Sequence, residues 1–91
     1  MGVRSGTVAM RSQSRLGQVR FDSGFTSIEA AAKKLGCSRI HLAEIERGAG
    51  APSNELLHKM CRLYHSFPGK LLAAMLEDQR DYHKRAQKRL A

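Results

Sequence analysis

The stretch GCSRIHLAEIERG, residues 36–48, decides how the rest of the chain is read. A glycine that tolerates left-handed backbone is followed two residues later by Ser38, able to cap a helix, and Gly48 closes the run. The period of 3.6 residues per turn puts Leu42 and Ile45 on one side of the helix between them. Ser38, Arg39, Ile40, His41, Ala43, Glu44 and Arg47 are left on or near the other.

Upstream, Ser27 is a second N-cap, Glu29 complements the helix dipole, and Ile28, Ala31, Ala32 and Leu35 form one apolar stripe that Gly36 ends. Two short helices, 28–35 and 39–47, are thus joined by Gly36-Cys37-Ser38, the helix-turn-helix pattern. A three-residue turn built on glycine holds such helices roughly perpendicular, so their inner faces share a core. The second helix then protrudes, and a protruding helix fits the major groove of B-DNA.

Further out, Leu16, Val19 and Phe21 predict a first helix from about Met10 to near Gly24. Beyond the loop Gly48–Pro52, Ser53 caps a fourth helix with Leu56, Leu57, Met60, Cys61 and Tyr64 on its apolar side. His65 to Pro68 breaks it, and Pro68 suits the first turn of a fifth helix. That helix runs nearly to the end through Leu71, Leu72, Met75, Leu76, Tyr82 and Ala86. No segment alternates with period two. The expected fold is all-α: five compact helices with an extended C-terminal one. Residues 1–10 read as a flexible basic arm, 11–76 as the domain and 77–91 as a helical extension.

Ninety-one residues allow one domain, and no apolar run approaches the ~18 residues of a membrane span. The N-terminus lacks the apolar centre of a signal peptide, so a cytoplasmic protein is expected. Sixteen Lys and Arg against eight Asp and Glu give +8 and a pI near 10.2, a balance that favours nucleic acid through counterion release. The bland alternative is a solvated basic surface. The excess is +3 over residues 1–24, +2 over 25–65 and +3 over 66–91, so charge alone locates no site.

Cys37-x3-His41 and Cys61-x3-His65 have ligand types that a tetrahedral zinc site uses. Both cysteines occupy apolar positions of the pattern, however, and buried free thiols are the preferred reading, with no metal. No Ser/His/Asp set, glycine-rich phosphate loop or convergent carboxylates stand out. Neither an enzyme nor a cofactor is expected.

The run SIEAAAKKLGCSRIHLAEIERG, followed by PSNELLHKMCRLY, resembles the Cro and lambda-repressor-like family, often called XRE. Its members read approximately T-Q-x-x-L-A-x-x-L-G-V-S-x-x-x-I-S-x-I-E-x-G, then P-S-x-x-x-L-x-K-L-A-x-x-L. Ala31-Ala32, Leu35-Gly36, Ser38, Leu42, Ile45-Glu46-Arg47-Gly48, Pro52-Ser53, Leu57, Lys59-Met60-Cys61 and Tyr64 stand at matching places, and the likeness covers about residues 15–72. Departures are Ile28 for the usual glutamine, a GFTS approach one residue longer than common, Cys37 for a valine type, and Gly69 at a usually polar position. The Ile28 change removes a side chain that members use near a phosphate.

The resemblance implies a bacterial or phage transcriptional regulator, a repressor in the simplest case, that binds double-stranded operator DNA as a homodimer. Base readers would be Ser38, Arg39, Ile40, His41, Ala43 and Glu44. Arg39 has the donors for guanine, Glu44 can accept from cytosine, and exposed Ile40 suits a thymine methyl. The bland alternative packs Ile40 on the preceding helix and leaves Glu44 solvated. Ser27, Ile28, Arg47, Gly48 and Ser53 would face phosphates through helix N-termini and loop amides. Glu46 would pair with Arg20 of the first helix in a structural role. Tyr82, Ala86 and Leu90 make a thin stripe for a dimer or a protein partner. Two rivals use the same domain: an autoregulating antitoxin covering a toxin protein, and a protein-binding anti-activator with weak DNA affinity.

Overall fold

The computed structural model describes residues 14–90, with side chains through Lys88. Among them are five helices: α1 (Arg15–Asp22), α2 (Ile28–Leu35), α3 (Arg39–Arg47), α4 (Asn54–Leu63) and α5 (Pro68–Leu90). No strand occurs among the described residues, so the all-α expectation holds.

Four of the helix starts are serine caps. Ser14, Ser27, Ser38 and Ser53 have extended backbone, and each Oγ accepts the amide three residues on, at 3.0, 3.3, 3.0 and 3.1 Å. The turns that close α2 and α3 need left-handed backbone, which Gly36 (φ 76°) and Gly48 (φ 87°) supply. α1 begins at Arg15 rather than near Met10, because the extended ψ of 173° at its cap Ser14 cannot be part of a helix. Residues 10–13 lie outside the described residues.

The core is assembled from every helix. Leu16 of α1, Ala31, Ala32 and Leu35 of α2, Leu42 and Ile45 of α3, Leu56 and Met60 of α4, Tyr64 beyond it, and Leu71 and Met75 of α5 are all buried. The alanines of α2 let α3 approach closely, and α5 packs against α1, α3 and α4. Leu16, Leu42, Ile45, Met60 and Leu71 are the largest side chains with essentially no exposure. Truncating any of them to alanine costs about 2–5 kcal/mol.

Two expected core residues are outside it. Leu72 is 44% exposed and Leu76 is 62% exposed. The inner face of α5 is taken by Leu71, Met75 and Asp78, spaced four and three apart, and positions 72 and 76 turn about 100° away from each preceding inner residue.

The division at 76/77 also falls inside packed structure. Asp78 is 3% exposed, and its two carboxylate oxygens accept the backbone amides of Arg15 and Leu16, each at 3.0 Å. With Ser14 holding the Gly17 amide, the opening amides of α1 are satisfied by one local cap and one carboxylate from α5. Asp78, two residues past that division, is thus packed against the start of α1.

Candidate nucleic-acid interface

α2, the turn Gly36-Cys37-Ser38 and α3 make a helix-turn-helix unit whose inner side is buried and whose α3 outer side is free. The Gly36 amide donates to the Lys33 carbonyl at 3.3 Å and the Cys37 amide to the Ala32 carbonyl at 3.1 Å, which folds the turn tightly against α2. On α3, Leu42, Ile45 and Glu46 face in. Ile40, Glu44 and Arg47 are exposed, with half-buried Ala43 between them, and spacings of three, four and seven place them on one stripe. Arg39 and His41 flank the stripe, both exposed. Ile40 is 67% exposed and does not pack into the core.

The reading edge thus offers a guanidinium at each end, an imidazole, a carboxylate and an isoleucine. Ser38 is exposed but engaged: its Oγ holds the His41 amide, so its first role is to start α3.

Residues assigned to phosphates divide into two groups. Ser27 and Ser53 are exposed caps at the starts of α2 and α4, whose first amides have no intrahelical partner, and such termini attract anions. The Ile28 side chain is half-buried and packs against the core. Arg47 is exposed.

Gly48 belongs elsewhere. It is buried, its amide donates to the Ile45 carbonyl at 3.2 Å, and the Ala49 and Gly50 amides both turn back to the Glu44 carbonyl at 2.9 and 3.2 Å. The amides expected to be free for phosphate are spent closing α3. A β-carbon on Gly48 would lie 2.5 Å from the Asp78 carbonyl oxygen, so Gly48 is a packing contact to α5.

Beneath the unit lies an ion pair. Arg20 Nε donates to Glu46 Oε2 at 2.7 Å, with both side chains largely buried, and Arg20 Nη1 donates to the Phe25 carbonyl. The pair ties α1 and the loop before α2 to the end of α3. Burial pushes the Glu46 carboxyl above its ordinary range, against the pull of the Arg20 guanidinium, and the charge of Asp78 adds to the rise. Tyr64, whose ring meets Phe25 at a 6.4 Å centroid distance, is shifted upward by burial and by Glu46. Its hydroxyl is buried with no hydrogen-bond partner among the described residues.

Cys37 and Cys61 are half-buried free thiols, and burial pushes the Cys37 thiol up. No three of His, Cys, Asp and Glu come together in a way that could hold a metal ion among the described residues. No helix among them is long and apolar enough to cross a membrane.

On α5, Tyr82 and Ala86 are half-buried, and the Leu90 side chain lies outside what is described. Sequence reasoning passed over Asp78 and its neighbour Arg15, whose guanidinium reaches Glu77 at 2.8 Å, Asp81 at 2.7 Å and Asp78 at 3.5 Å. The spacing Leu71, Met75, Asp78 carried the signal, since it puts an acid on the inner face where only a partnered one is tolerated.

The architecture and the exposed α3 define the class: an all-α helix-turn-helix domain of the DNA-binding kind. A family model described as a helix-turn-helix domain matches residues 10–75, and the chain belongs to that family. Neither curated proteins nor solved structures give a significant match.

Proposed function

We propose that the chain is a sequence-specific DNA-binding transcriptional regulator that works without catalysis or a cofactor. It reads the major groove of operator DNA with Arg39, Ile40, His41, Ala43 and Glu44 and is anchored on phosphates by Arg47 and the starts of α2 and α4. The reading includes repression by occupying a promoter, as a homodimer of bacterial or phage type. One observation carries it: Ile40 stands 67% exposed on a capped, protruding helix among polar groups that match base edges. What supports the reading is its setting, an apolar group suited to a thymine methyl placed between a guanidinium and a carboxylate that suit base edges.

The net charge of +8 supports a polyanionic partner. The same Ile40 would serve an anti-activator as an anchor for protein, and ionic strength separates the two. Titration of a labelled duplex pool with the full chain from about 50 to 200 mM salt should show affinity falling steeply as counterions are released. Affinity for duplex that is absent at the low end of that range contradicts the DNA reading.

A further inference from the structure

Past its contact with Gly48, α5 becomes strongly basic. Arg80, Lys84, Arg85 and Lys88 are exposed, and the only acid after Asp78 is Asp81. That acid is already engaged, since its carboxylate accepts from the Arg15 guanidinium at 2.7 Å. Among the described residues no ion pair reaches any of the four cations. Arg80, Lys84 and Lys88 recur every four residues, so they follow one stripe in steps of about 6 Å.

The fold itself has no use for this charge. Like charges four residues apart on a helix repel, and the helix dipole attracts cations only in its last turn. With α5 ending at Leu90, the dipole accounts for Lys88 but not for Arg80, Lys84 and Arg85.

The place where the stripe starts is fixed by packing. A β-carbon on Gly48 would lie 2.9 Å from the Gln79 nitrogen, so α5 crosses the closing end of α3 one residue before Arg80. Exposed Arg47, immediately before Gly48, is the cation that the proposed function sets on phosphate. The two basic elements are therefore neighbours.

We infer that Arg80, Lys84 and Lys88 form a second backbone clamp, taking phosphates of the duplex that flanks the base pairs read by α3. The inference rests on the DNA reading above and adds a contact outside the helix-turn-helix unit, one that carries affinity but no sequence. From Gln79 the helix advances about 14 Å to Lys88, the length of about four nucleotides along one strand. A protein partner fits this face less well. The exposed residues from 83 to 88 are His83, Lys84, Arg85, Gln87 and Lys88, without the apolar anchor on which a protein interface is centred.

Titration of the full chain against a duplex selected from a random pool tests this, from about 50 to 200 mM salt, with long flanks and with the flanks trimmed to the read base pairs. Arg80→Gln, Lys84→Gln and Lys88→Gln combined should weaken binding to the long duplex about 10-fold or more and reduce the salt slope by about 2–3, with sequence preference and helicity unchanged. Lys84→Gln alone should reduce the slope by about 1. Trimming the flanks should weaken the wild type by a similar factor and the triple variant little. Lys59→Gln, Arg62→Gln and Lys70→Gln combined remove the same charge from exposed positions on α4 and the start of α5, and should change the slope by less than about 1. A stripe variant that binds as the wild type does, one no weaker than this control, or flanks whose removal costs both proteins equally would overturn the clamp and leave the DNA reading standing. A wild type that binds no duplex at about 50 mM salt overturns both.

Discussion

Gly48 and Asp78 meet backbone to backbone: a methyl group on Gly48 would lie 2.5 Å from the Asp78 carbonyl oxygen and 2.9 Å from the Gln79 nitrogen. The end of the reading helix is therefore seated on α5 at the residue whose side chain caps α1. Gly48 also has a φ of 87°, which an L side chain resists. Both reasons act together, and Gly48→Ala is expected to cost about 3 kcal/mol or more in urea melts, with the m-value little changed. Gly36→Ala is the control. It has similar left-handed backbone but nothing within 4 Å of the added carbon, so it should cost only the conformational part, about 1–2 kcal/mol.

Asp78 should matter far more than the arginine beside it. Asp78→Ala removes both acceptors of the Arg15 and Leu16 amides from a buried position, and a loss of about 2–3 kcal/mol is expected from thermal or urea unfolding. Arg15→Ala removes two half-exposed ion pairs, which water and salt screen, and a long 3.5 Å contact to buried Asp78, whose carboxylate keeps both amide donors, so it should cost clearly less than Asp78→Ala. Equal losses in the two variants would mean that the charge cluster, rather than the helix cap, holds α1 to α5.

The Arg20–Glu46 pair makes an asymmetric prediction. The Glu46 carboxyl is raised by burial, so its ionised form is the costly one in the folded state. Glu46→Gln keeps an oxygen acceptor for the Arg20 Nε but leaves its buried charge without a counter-ion, so it should destabilise by less than Arg20→Ala. Arg20→Ala, which strands a buried acid, is expected to cost about 3–5 kcal/mol. A raised carboxyl keeps more protons folded than unfolded, so its stabilisation is full below the ordinary value of 4.5 and is lost as pH rises through the folded value. The stability of the wild type minus that of Glu46→Gln should fall as pH climbs from below 4.5 and flatten toward neutrality. A difference that grows with pH would reverse the assigned direction.

Helices α2, α3 and α4 and their caps were legible in the sequence because each start carries a serine and the α2 and α3 ends carry glycine, signals that act within four residues. The core pegs Leu42 and Ile45 and the exposed Ile40 followed from period alone. The partnership of Arg20 and Glu46, 26 positions apart, came from resemblance, since no local rule links residues so distant. What escaped was set by long-range packing. Whether Gly48 presents an amide or a bare α-carbon depends on α5 passing over it. Leu72 and Leu76 read as core because their spacing fits a helix, but period does not say which of two adjacent stripes turns inward. Asp78 looked like part of a charged tail until its two amide partners, more than 60 residues away, came beside it.

On α3, base and phosphate roles separate by experiment. Arg39→Ala should relax preference at one position of each half-site and lower affinity for the preferred sequence by about 1–3 kcal/mol. Arg47→Ala should weaken all duplexes nearly alike and reduce the salt slope by about 1. Quantitative binding to matched and single-substituted duplexes distinguishes the two patterns.

The most direct test of the central claim, that the outer edge of α3 reads base sequence, is selection of bound sites from a random duplex pool by the full chain at moderate salt. The account predicts an enriched motif of two inverted half-sites, with Ile40→Ala losing preference at a thymine position within each. A pool that emerges without sequence enrichment, or an Ile40→Ala protein that selects the same motif at the same strength, would contradict it.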